Sequence, residues 1–170
     1  MIGNHRAARL LRLKIVSPTV IVRRLIYRTG YRVLQVFWLI ARPKKKGVKC
    51  VLVQGDRLLL VRHTYGRRSW DFPGGALKRD EPPLTGAQRE MGEELGIGQA
   101  QWRPLGTVRA TMNHRRDTVH CFEARLASPD VTLDLGELAV ARWFPRDALP
   151  EDQAPYVRPV MAALTAAGPA

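Results

Sequence analysis

The sequence predicts an α+β domain preceded by a basic helical arm. Three observations carry this. Strand-type segments stand on both sides of one sharply bounded helix, and a second amphipathic helix follows the last of them. The whole formal charge of +13 resides in the first 55 residues, which hold 13 Lys and Arg and no acid. From Asp56 onward 15 basic and 15 acidic residues balance, so the body of the chain is near neutral and the charge describes the arm. At 170 residues the chain fits one domain with an extension. Two cysteines, Cys50 and Cys121, give no disulfide framework and lie in apolar, alternating segments, as buried thiols do.

Residues 1–47 read as the extension and residues 48–170 as the domain. Ser17-Pro18-Thr19 suits a helix start. From Val20 to Ala41 a helix is expected, with Arg23, Arg24, Arg28 and Arg32 among apolar residues and Gly30 as a break or kink. The run Val33–Ile40 is apolar but too short to span a bilayer, which takes about 20 apolar residues. A signal peptide is disfavoured by the long basic stretch before that run and by the lack of a small-residue cleavage site. Arg42-Pro43-Lys44-Lys45-Lys46-Gly47 reads as a basic linker. Three partners compete for the arm: the domain itself or a second subunit in a homodimer, an anionic membrane surface, and nucleic acid. The expected location is cytoplasmic, with a peripheral position at the inner membrane surface as the alternative.

In the domain, Val48–Val53 and Arg57–Arg62 read as strands joined by a turn at Gln54-Gly55-Asp56. A loop with Tyr65, Arg67 and Arg68 leads to Trp70-Asp71-Phe72-Pro73-Gly74-Gly75, where the glycines let backbone approach a ligand closely. A helix is expected over Pro83–Leu95: Asp80 as a cap, Pro at the first position, Gly96 as the stop. Gly86 inside it costs about 1 kcal/mol relative to Ala, which points to close packing there. Glu90, Glu93 and Glu94 stand at i, i+3 and i+4 and share one face. Three carboxylates so placed raise each other's pKa values unless a cation offsets them, and hard oxygen ligands select Mg²⁺ or Mn²⁺. Arg89 beside them can orient a carboxylate by paired hydrogen bonds.

Beyond the helix, Trp102–Ala110, Thr118–Leu126 and Leu138–Phe144 read as strands, and Pro155–Ala167 as a closing helix burying Val157, Val160, Met161 and Leu164. His114, between two of these strands, is a candidate proton carrier. Arg67, Arg68 and Trp70 are candidates for substrate contact.

The stretch from Gly75 to Ile97 resembles the signature of the Nudix hydrolases. Gly75, Glu81, Arg89, Glu90, Met91, Glu93, Glu94, Gly96 and Ile97 fill every specified position, and the flanks extend the resemblance over roughly residues 47–150. It implies a mixed β-sheet sandwiched between α-helices. It implies divalent-metal-dependent hydrolysis of a diphosphate linkage in a nucleoside diphosphate derivative or nucleoside triphosphate, with Mg²⁺ as cofactor and Mn²⁺ as a substitute. Glu90 and Glu94 are the expected principal ligands, Glu93 a supporting one, and the backbone carbonyl at Gly75 an additional one. Glu90 or Glu137 would act on the attacking water, with Arg89 and Glu81 holding the cluster. A nucleotide- or RNA-binding module without turnover, or a membrane-associated hydrolase of a lipid-linked diphosphate, are the alternatives. The signature does not specify the substrate.

Overall fold

The structure, a computed structural model, describes residues 17–41, 44–66, 68–98, 100–112 and 115–168. In chain order the elements are α1 (Pro18–Ala41), β1 (Lys44–Gln54), β2 (Arg57–His63), α2 (Pro83–Leu95), β3 (Trp102–Met112), β4 (Arg115–Arg125), β5 (Leu138–Pro145) and α3 (Val157–Ala166). The strands form one mixed sheet in the order β3-β4-β1-β2-β5. β1 runs parallel to β4, and the other neighbours are antiparallel.

The period of two along β1 divides the core. Val48, Cys50 and Leu52 face α2 and pack with Ala87, Met91 and Leu95. Val51 and Val53 face α3 and pack with Val157, Val160 and Leu164. The sheet therefore lies between two helices, the sandwich implied by the resemblance. Met161 is partly buried at the edge of the α3 cluster rather than inside it.

α2 begins at Pro83 and ends at Leu95, and Gly96 stops it in the left-handed region at φ 67°. Gly86 is closely packed: a Cβ there would stand 2.2 Å from Leu77 Cδ2, which would have to move. Three expectations need correction. Asp80 does not cap the helix; Pro82 holds that position without a side-chain bond, and Asp80 turns the chain at φ 56°. The Glu81 carboxylate closes this entry instead, accepting from the Lys78 N–H at 2.9 Å. Lys44–Gly47 is not a linker but the start of β1, paired in parallel with Arg116–Val119 of β4. The backbone ladder extends past the apolar pattern because pairing needs no buried side chain. Gly30 does not break α1, which is continuous from Pro18 to Ala41; its surroundings are open.

α1 docks on the domain through polar and aromatic groups. Arg23 pairs with Asp134 at 2.7 Å, Arg24 Nε donates to the Leu135 carbonyl at 2.9 Å, and Tyr27 and Tyr31 pack against Tyr65. The opposite face exposes Val22, Leu25, Ile26, Val33, Val36 and Phe37.

Candidate active site

The buried face of α2 is made of Gly86, Ala87, Glu90, Met91, Glu94 and Leu95. Two carboxylates are thus carried into a face that is otherwise apolar. Glu94 is 2% exposed, and its Oε2 accepts from the Gly74 N–H at 2.9 Å. Burial pushes its carboxyl up to about 8, against the pull of Lys49 and of the Gly74 bond. Glu90 is also buried and raised, again chiefly by desolvation, although Arg89 opposes this. Glu93 stands at the rim, mostly exposed.

Arg89 organises this edge. Its Nε and Nη2 grip both oxygens of Glu81 at 2.8 and 2.9 Å, the bidentate geometry that a guanidinium favours. Its Nη1 donates to Glu90 Oε1 at 2.8 Å and to Glu93 Oε2 at 3.1 Å, and Nη2 also donates to the Ala76 carbonyl. The paired bond from Arg89, with the Lys78 N–H, holds Glu81 down at about 2. Arg89 therefore positions the acids.

The glycines lie against β1. Val48 N–H donates to the Gly75 carbonyl at 2.9 Å, and Cys50 N–H to the Pro73 carbonyl at 3.0 Å. Gly74 has φ 133°, and a Cβ there would meet the Val48 carbonyl at 2.3 Å. A Cβ on Gly75 would stand 2.4 Å from the Glu90 carboxylate. The Gly75 carbonyl keeps a second lone pair beyond its bond to Val48.

Glu137 reaches this region from the turn before β5. Its carbonyl accepts from Thr64 N–H at 2.8 Å, and its carboxylate, close to the Tyr27 hydroxyl of α1, raises the tyrosine. Tyr65 is raised by burial and then by the charges of Glu137, Glu94 and Glu90. The loop after β2 and the arm helix thus border the acids on one side.

Sequence reasoning did not find Tyr27, Tyr65, Lys49 or Asp71. Lys49 Nζ is buried, pairs with Asp71 Oδ2 at 2.8 Å and donates to the Phe72 carbonyl at 2.7 Å. One signal was available: a lysine inside a strand of otherwise apolar residues needs a buried partner. Trp70, expected at the substrate, lies in the core instead. It is 7% exposed, edge-on to Phe144, with the Arg62 guanidinium 4.6 Å over its ring. Arg68 is exposed beside α1. Arg67 and His114 lie outside the described residues.

The donor set fits a hard divalent cation in its chemistry. Glu90 and Glu94 are buried acids; the charges of Glu90 and Glu137 raise Glu94, and those of Glu93 and Glu137 raise Glu90, which is the situation a cation relieves. As they stand, no three acidic, histidine or cysteine side chains among the described residues are grouped to hold an ion. Glu90 and Glu93 face Arg89, and Glu94 faces Gly74.

An acid-bearing helix of this kind, clasped by an arginine and set against a glycine loop on a mixed sheet, defines a class that relatives make specific. The NUDIX domain family model matches residues 43–164, and the chain belongs to that family. A MutT-like protein of Streptomyces ambofaciens is 32% identical over 120 residues, 70% of this chain and 76% of its own. An RNA pyrophosphohydrolase of Thioalkalivibrio sulfidiphilus is 32% identical over 71 residues, 42% of this chain and 41% of its own. An ADP-ribose pyrophosphatase of Mycobacterium tuberculosis is 30% identical over 89 residues, 49% of this chain and 42% of its own. The chain thus spans about four-tenths of the length of these last two relatives. In fold it is similar to a MutT NUDIX hydrolase of Burkholderia pseudomallei, with TM-score 0.66 and 23% identity over 71% of this chain and 98% of that one.

Proposed function

We propose that the chain is a divalent-metal-dependent pyrophosphohydrolase acting on a nucleoside diphosphate derivative or nucleoside triphosphate. The observation that carries this is the pair of buried carboxylates, Glu90 and Glu94, facing the Gly74–Gly75 backbone. Arg89 is the cation paired with Glu90, and it is shared with Glu81 and Glu93; a purely structural helix gains little by burying a second acid, Glu94, beside it. The relatives named as pyrophosphohydrolase, pyrophosphatase and MutT-like support the reaction class.

Glu90 and Glu94 would hold Mg²⁺ or Mn²⁺, with the exposed Glu93 and the Gly75 carbonyl as further oxygen donors. Such a cation, when bound, neutralises charge on the diphosphate and makes water a better nucleophile. Glu90 or Glu137 orients the attacking water and takes its proton. Water adds to phosphorus, the phosphoanhydride P–O bond breaks, and the phosphate oxygen leaves as an anion. Arg89 and Glu81 keep Glu90 in register.

The test is nucleotide or phosphate release from nucleoside triphosphates, ADP-ribose, dinucleoside polyphosphates and 5′-triphosphate RNA, with Mg²⁺ and with Mn²⁺. Glu94→Gln is expected to lower turnover at least about a hundredfold, the scale of a lost electrostatic contribution. Near-normal turnover in that variant refutes the ligand assignment. No release from any compound by a folded, metal-binding wild type favours a binding module.

A lipid-linked diphosphate is the second reading, favoured by the apolar face that α1 turns outward beside Arg28 and Arg32. The contact proposed is peripheral; no helix among the described residues is long and apolar enough to cross a membrane. Co-sedimentation with phosphatidylglycerol vesicles, lost on deleting residues 1–41, is the expected result. Dimerisation without vesicle binding would assign that face to a second copy instead.

A further inference from the structure

Between α1 and the loop after β2 lies a cavity of about 270 Å³, lined by Arg28, Tyr31 and Arg32 from the helix and by Thr64, Tyr65 and Arg68 from the loop. The helix and loop approach closely because residue 66 is glycine at φ 66°: a Cβ there would come within 3.1 Å of the Tyr31 ring. Three guanidinium groups border this space, and none of the three forms an ion pair with any described residue. This contrasts with Arg23 on the same helix, which is paired with Asp134. Thr64, which lines the cavity, donates its N–H to the Glu137 carbonyl at 2.8 Å and its hydroxyl to the Gly136 carbonyl at 2.8 Å. The cavity wall is basic, and its Tyr65 feels the charges of Glu137, Glu94 and Glu90. Its volume falls just below the roughly 300–1,000 Å³ of sites that enclose a whole drug-sized ligand. It suits one end of a larger anion.

We propose that this cavity is a phosphate subsite, in which Arg28, Arg32 and Arg68 hold a phosphate of the substrate other than the one attacked. Half of its wall comes from α1, ahead of the matched family domain, so the arm completes it. The arm then has a part beyond attraction to polyanions: it completes the substrate site and selects compounds with phosphate beyond the scissile linkage. Guanidinium groups suit this, since each offers paired N–H donors to phosphate oxygens. The inference rests on the hydrolase reading for what binds there, but its binding test does not need turnover.

The experiment is calorimetric titration of the full chain with inorganic pyrophosphate, without metal, at about 0.15 M salt, where long-range attraction is screened over about 8 Å. Without metal the carboxylates repel the probe, so binding reports the cavity. Wild type is expected to bind one pyrophosphate saturably. Arg28→Gln/Arg32→Gln is expected to weaken binding by about tenfold or more, and Arg68→Gln, which leaves the helix untouched, by a smaller but measurable factor. Arg109→Gln/Arg146→Gln removes the same charge from exposed positions elsewhere and should change affinity less than about twofold. Glu94→Gln should retain binding while losing turnover. Equal effects of the two double variants, no loss in Arg68→Gln, or no saturable binding by wild type would each overturn the subsite. A chain that binds as expected but hydrolyses nothing would refute the hydrolase reading and leave the phosphate site standing.

Discussion

Replacing Gly75 by Ala tests whether the backbone there sets the position of the Glu90 carboxylate. The added Cβ would lie 2.4 Å from Glu90 Cδ and Oε2 and 2.5 Å from Oε1. Carbon contacts settle near 3.5–4.0 Å, so the carboxylate must retreat by about 1 Å. It can do so, being the end of a flexible side chain, but its 2.8 Å bond from Arg89 Nη1 must then stretch or break. Gly75 is not among the positive-φ glycines, so Ala adds no backbone strain and even reduces unfolded-state entropy, by about 0.4–1 kcal/mol. Stability should change little. A misplacement of about 1 Å in a reacting group costs roughly a hundredfold in rate, equivalent to about 2.7 kcal/mol of transition-state stabilisation. The assay is initial rate with Mg²⁺ beside thermal unfolding of the same preparation. Gly74→Ala is the contrast: it places Cβ 2.3 Å from the Val48 carbonyl, at φ 133°. That clash is with strand backbone, so this variant should lose about 2 kcal/mol or more of stability. Turnover of Gly75→Ala within about threefold of wild type, with the fold intact, would refute the view that this glycine positions Glu90.

Two other outcomes follow from buried charge. Lys49→Met leaves Asp71 buried without its cation and should cost about 3–5 kcal/mol, read from the urea midpoint; Lys49→Met/Asp71→Asn should recover most of it, and no recovery would contradict the pairing. The His63 imidazole is pushed down to about 4 from 6.5 by burial and then by Lys49. The unfolded chain therefore binds the proton more readily between these values, and this contribution to stability is lost as pH falls from 6.5 toward 4. His63→Gln should flatten that part of the pH–stability curve; an unchanged slope in chemical denaturation would exclude His63 as its source.

Local chemistry made much of the domain legible. The bounds of α2 were readable from Pro83 and Gly96 because proline and glycine act on their own backbone. The register of Glu90, Glu93 and Glu94 was readable because helical spacing is fixed. The strands were readable from alternation, though β1 began earlier than its apolar residues because main-chain pairing continued through Lys44–Gly47. Trp70 was misplaced because an aromatic before a glycine loop looks the same in sequence whether it meets a ligand or, as here, Phe144 and Arg62.

The sequence by itself determined the family, the acid-bearing helix and the separation of a basic arm from a neutral domain. Each of these depends on residue type and spacing within one segment. Only the tertiary structure decided which acids are buried, that Arg89 is shared among Glu81, Glu90 and Glu93, and that Lys49 meets Asp71. It also decided that α1 docks through Arg23, Arg24, Tyr27 and Tyr31 and leaves its apolar face outward. The physical reason is distance along the chain: Arg23 and Asp134 are separated by 111 residues, and no local preference records a contact that exists only once the sheet has brought its partners together.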